Sequence, residues 1–138
     1  MQNLFIKKED EFVIKFYVAI DKEGTVWSDS KEESLKEVLN PDKEYEIESY
    51  SVTFKKPSFG DSVNLYNDIF KTTDGSNIEF NPLTARYQKI CLLIKDWSLV
   101  DEEGNKISPN PENVKKLHPM IANTIGLQLD AVTGGILS

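Results

Sequence analysis

The sequence holds one cysteine, one histidine and one arginine in 138 residues. A lone cysteine, Cys91, cannot close a disulfide within the chain, so a secreted disulfide scaffold is excluded. With His118 the only histidine, zinc sites built from four cysteine and histidine ligands are excluded too. No apolar run approaches the roughly 18 residues of a spanning helix, so no membrane partner is expected. The 7 glycines never take the GxGxxG or GxxxxGK spacing that cradles phosphate. No GxSxG nucleophile turn is present either. The start, MQNLFIKKEDEF, lacks an apolar core of signal-peptide length, and secretion by that route is not expected.

What is abundant is acid. There are 23 Asp and Glu against 16 Lys and Arg, a net charge of −7. Residues 1–50 carry a net −6, 51–100 a net +1 and 101–138 a net −2. No basic stripe is segregated, so nucleic acid and anionic lipid are repelled. Arg86 is the only arginine, which argues against a bidentate arginine clamp on phosphates. At 15.7 kDa and 39% apolar the chain has the size and composition of one folded domain.

The front of the chain reads as sheet. In residues 11–20, Phe12, Ile14, Phe16, Val18 and Ile20 share one face at period two. Asp21-Lys22-Glu23-Gly24 is a turn, and residues 25–27 form the return strand of a hairpin. Ser30 with Glu33 is a capping box opening a helix over about 31–39, with Leu35, Val38 and Leu39 on one side. Asn40-Pro41-Asp42 ends it. Residues 44–55 form a second long strand whose apolar phase shifts near Ser49, which a bulge there would reconcile.

The back of the chain reads as helix. Phe59, Val63, Tyr66 and Phe70 make an apolar stripe at helical spacing, with Leu65 and Ile69 beside it. Residues 73–76 read as a loop. Asn81-Pro82 opens a helix with Leu83, Tyr87, Ile90, Cys91 and Ile94 on its apolar face. Asp101-Glu102-Glu103-Gly104 is a second acidic turn, Asn110-Pro111 starts a short helix, and His118-Pro119 breaks it before a last helix over 120–132, ended by Gly134-Gly135. The expectation is an α+β fold, with N-terminal antiparallel strands followed by a mostly helical C-terminal half. It is read as one domain over 1–138, with a subdomain junction near 56–58 as the alternative.

No catalytic constellation stands out. Cys91 lies on an apolar helix face and reads as a structural cysteine. His118 reads as a capping or surface residue. The two acidic turns lack the alternating ligands and distal glutamate of a calcium loop. No cofactor and no metal are expected. Candidate interface residues are Trp27, Trp97, Met120, Ile121, Ile125 and Leu127, together with Ile136 and Leu137 of the apolar tail.

One resemblance gives these elements a context. Val52-Thr-Phe-Lys-Lys-Pro-Ser-Phe-Gly-Asp61 is an apolar strand, a basic-proline step and an aspartate at the start of a helix. The helix over 86–95 runs into Asp96-Trp97-Ser-Leu, then the Gly104 turn, then Ile107-Ser-Pro, Glu112-Asn113-Val114 and Leu117. Over residues 52–130 this succession resembles the small tail-assembly chaperones of tailed bacteriophages and the accessory tail proteins encoded beside them. The hairpin and helix of 11–50 are not part of that chaperone core. The lysine-rich, arginine-poor composition fits a phage with an AT-rich genome. The resemblance implies a non-enzymatic protein of tail morphogenesis that holds other phage tail proteins soluble in the host cytoplasm, with Asp61, Trp97, Gly104 and Leu117 defining the fold. Two alternatives are a permanent virion subunit of tail, neck or baseplate, and a small acidic host-directed inhibitor. A second copy of the chain is a further partner to consider.

Overall fold

The computed structural model of the chain describes residues 4–69 and 81–134. The elements run β1 (Glu11–Ile20), β2 (Val26–Asp29), α1 (Glu32–Val38), β3 (Glu46–Lys55), α2 (Phe59–Ile69), α3 (Pro82–Leu93), β4 (Ile94–Trp97), α4 (Pro111–Lys115) and α5 (Pro119–Thr133). The strands form one antiparallel sheet in the order β2-β1-β3-β4. This is the expected α+β arrangement, with one strand more than expected. Residues 94–97 leave α3 and pair with β3, so the ladder crosses the junction placed near 56–58.

The even-numbered face of β1 builds the main core. Ile14, Phe16 and Val18 pack with Val52 and Phe54 of β3, Ile90 and Leu93 of α3, Trp97 of β4, and Ile125 and Leu129 of α5. Cross-strand rings tighten it: Phe12 stacks on Phe54 and Phe16 leans on Tyr50, both with centroids 5.7 Å apart. Ile20, expected on this face, is 40% exposed, because the core ends before the strand does.

The phase shift in β3 needs no bulge at Ser49. The β1–β3 register is unbroken from Glu46 to Lys55. Ile47 pairs with Ala19, and Ala19 with Trp27, so all three share the odd face. There α1 packs on β1 and β2. Its Leu35 is fully buried, as is Ala19, and both lie outside the main core. Trp27 meets Tyr45 edge-on at 5.5 Å. In the first half of β3 the apolar Ile47 thus lies on the odd face and is exposed, while in the second half Val52 and Phe54 face the main core. The irregularity that does exist lies between Thr53 and Phe54, opposite β4.

The local signals of α1 differ from expectation. Its N-cap is Lys31, with no side-chain cap, and Asp29 Oδ1 accepts from the Lys31 N–H instead of Ser30 forming a box with Glu33. Val38 is exposed, since one turn of so short a helix suffices to cover Ala19. A reciprocal capping box occurs at α2. The Ser58 N–H donates to Asp61 Oδ2 at 3.0 Å, and the Asp61 N–H donates to Ser58 Oγ at 3.1 Å. Lys55 Nζ adds a contact of 3.1 Å. Burial disfavours the Asp61 carboxylate, but the Ser58 N–H and Lys55 outweigh it and hold its pKa below the ordinary value. Because the folded value is depressed, Asp61 stabilises the fold above roughly pH 4, and that contribution is lost as pH falls through the folded value. Asp61→Asn is expected to cost about 1 kcal/mol at pH 7, and the difference from the parent should shrink in urea melts below roughly pH 4.

The two acidic turns share one construction. Asp21 Oδ1 accepts the Thr25 N–H, and Asp101 Oδ1 accepts the Asn105 N–H, both at 2.9 Å. The fourth residue of each, Gly24 and Gly104, has φ of +84°, which favours glycine. In each turn one oxygen of the leading carboxylate is therefore committed to the backbone. Among the described residues no group of three or more His, Cys, Asp or Glu is placed to hold a metal ion. No described helix is long and apolar enough to cross a membrane.

Candidate functional site

A cleft of about 210 Å³ lies where α3, α4 and the first turn of α5 meet. The sequence places it by capping. Asn81 Oδ1 accepts from the Leu83 and Thr84 N–H groups and starts α3. Asn110 Oδ1 accepts from the Asn113 N–H and starts α4. His118 Nδ1 accepts from the Met120 N–H and starts α5, the capping role expected of it. Proline stands at the first turn of all three helices. The walls are Ile90, Val114, Leu117 and Ala122, with Leu83 at the rim.

The polar groups of the cleft are Arg86, Tyr87, Lys115 and Asn123. No acid lines it, in a chain with 23 of them. Arg86 Nη1 donates to Asn123 Oδ1 at 2.7 Å, and Arg86 Nε is buried without a hydrogen-bond partner. The arginine stem lies flat across α5 at Gly126. A Cβ on that glycine would stand 2.1 Å from Arg86 Cδ and 2.6 Å from Cγ and Nε. Lys115 Nζ sits 5.4 Å above the Tyr87 ring. Neither Arg86 nor Lys115 is in any ion pair among the described residues.

Cys91 lies one turn along α3 from Tyr87 and is half-buried. Burial pushes its thiol up, against the Tyr87 hydrogen bond and the Lys115 charge, which pull it down. A protonated thiol is a poor nucleophile, which agrees with the structural role expected of it.

The interface candidates divide. Trp97 and Ile125 are core residues; Trp97 Nε1 donates to the Ile107 carbonyl, and both side chains are enclosed. Ile121 packs on the core from its edge. Trp27 is half-buried against Tyr45. Met120 and Leu127 are exposed. Ile136 and Leu137 lie outside the described residues, as do Phe70 and the loop expected at 73–76.

Two other surfaces differ from expectation. Leu83, expected on the inner face of α3, is 73% exposed; Ala85 and Lys89 are buried there instead. Ile94, expected on that same helical face, is a β4 residue. The stripe of α2 points outward. Phe59 is 84% exposed, and Val63 and Tyr66 are also exposed, while Leu65 is the residue that α2 buries against Ala85.

Comparison of the chain with protein-family models, with curated proteins and with solved structures finds no match. The reading therefore rests on these surfaces and on the resemblance over residues 52–130.

Sequence reasoning missed the cleft and the burial of Lys89. One signal was present. Gly126 stands in the middle of α5, where it caps nothing, and a glycine so placed marks a close approach.

Proposed function

We propose that the chain works by protein–protein contact, as a non-enzymatic bacteriophage tail-morphogenesis protein of the tail-assembly-chaperone kind. The observation that carries this reading is the outward stripe of α2. Phe59 and Val63, with Tyr66 a turn on, present apolar surface to solvent on a helix that has hidden only Leu65 among its described side chains. Isolated exposed apolar residues are ordinary, but a helical stripe of them marks a contact surface. α2 carries Asp61 and Asp68 and no lysine, and the chain has a net charge of −7. The surface it fits is an apolar one. The high negative charge keeps the complex soluble. The alternative of a permanent tail, neck or baseplate subunit uses the same stripe in a lasting contact.

The test is co-expression with the tail proteins of the source phage. The paired variant Phe59→Ser and Val63→Ser removes two exposed apolar side chains and so leaves the fold near its parent stability. The expected result is that the parent chain keeps a tail protein in the soluble fraction and the variant loses at least about tenfold of it. Equal yields from the two would sink the α2 surface.

A further inference from the structure

The cleft between α3, α4 and α5 is independent of the α2 stripe, and nothing so far assigns it a ligand. Its floor is aliphatic, from Ile90, Val114 and Leu117. Its only charged residues are cations. Arg86 is half-buried, and its Nη1 donates to the neutral amide of Asn123. Its Nε, without an acceptor, is enclosed against α5 at Gly126, outside the cleft lining, so only the outer guanidinium nitrogens can meet a ligand there. Guanidinium has five N–H donors and strongly prefers a carboxylate as partner. Lys115 stands on the Tyr87 ring, and the first turn of α5, free of acids, adds the positive end of a 15-residue helix. Two cations thus line the cleft, Arg86 half-buried and Lys115 exposed, and neither has a carboxylate partner among the described residues.

We propose that this cleft binds a small monocarboxylate with an aliphatic tail, the carboxylate meeting Arg86 and Lys115 and the tail lying on Ile90, Val114 and Leu117. Size sets the tail. A dry cavity of about 150 Å³ holds benzene. The cleft is about 210 Å³, which takes an acyl chain of roughly six to eight carbons. It is smaller than the roughly 300–1,000 Å³ of sites for drug-sized ligands. Gly126 belongs to the site because only a residue without a side chain lets the Arg86 stem lie against α5 and reach Asn123.

The experiment is an amide-resonance NMR titration of the full chain with hexanoate and, separately, with hexanamide. The two share a tail and differ in charge. The expected result is saturable shifts confined to α3, α4 and the first turns of α5, with hexanoate at least about tenfold tighter than hexanamide. Arg86→Gln should abolish that preference. Lys115→Gln, at an exposed position, should reduce it and serves where the arginine variant does not fold. Equal affinity for both probes would overturn the proposal. So would shifts elsewhere in the chain, no saturable binding of hexanoate, or a preference that survives both variants.

Discussion

Replacing Gly126 by alanine is expected to destabilise the protein by about 1–2 kcal/mol, although alanine is the better helix former by about 1 kcal/mol. The added Cβ would stand 2.1 Å from Arg86 Cδ, far inside van der Waals contact. The arginine stem must then lift off α5 and give up Asn123. Because the clash involves one side chain, it can be removed. In an Arg86→Ala background the same Gly126→Ala change should become stabilising, by about 0.5–1 kcal/mol. The reversal of sign implies a coupling of about 2 kcal/mol, measured by chemical denaturation of all four members of the cycle. A Gly126→Ala cost that is equal in both backgrounds would mean the arginine is not what the glycine accommodates.

The second large effect concerns the buried lysine. Lys89 Nζ contacts Asp130 Oδ1 at 3.0 Å, joining α3 to α5 beside the core. The lysine side chain is 4% exposed and the aspartate 34%. Removing one partner and removing the charge altogether should therefore differ. Asp130→Asn leaves an enclosed ammonium facing a neutral amide, and is expected to cost about 2–3 kcal/mol, discounted for the solvent that reaches Asp130. Lys89→Met keeps the volume and removes the charge, and is expected to stay within about 1 kcal/mol of the parent. Thermal melts of the two variants decide it. If Lys89→Met were the more damaging, the pair would be contributing stability of its own and not merely neutralising a buried charge.

The elements that were legible in the sequence are those whose signal is local. Phe12, Ile14, Phe16 and Val18 alternate, so β1 was readable. Asn81-Pro82, Asn110-Pro111 and His118-Pro119 start helices through their own side chains, and all three starts are where the sequence puts them. The misreadings arise where a distant element decides. Residues 94–97 continue the apolar pattern of α3, and only pairing with β3 turns them into a strand. The phase change at Ser49 arises because the main core reaches only the second half of β3, at Val52 and Phe54, while Ile47 sits exposed on the opposite face. Leu83 lies on the same apolar stripe as Tyr87, Ile90 and Cys91, yet stands in solvent at the rim of the cleft. Lys89 reads as a polar-face residue until Asp130 is brought to it across 41 positions. Of the proposed site, the cleft needed three helices to be placed before any of its walls existed. Arg86 was conspicuous by its solitude, but its role depends on Gly126, and neither residue signals the other.

As proposed, the chain binds phage tail proteins during assembly and is not itself part of the finished particle. The most direct measurement is quantitative mass spectrometry of purified particles of the source phage beside the infected-cell lysate. The expected result is a protein abundant in the lysate and absent from the finished particle. Recovery from particles at stoichiometric copy number would contradict it and make the chain a structural subunit.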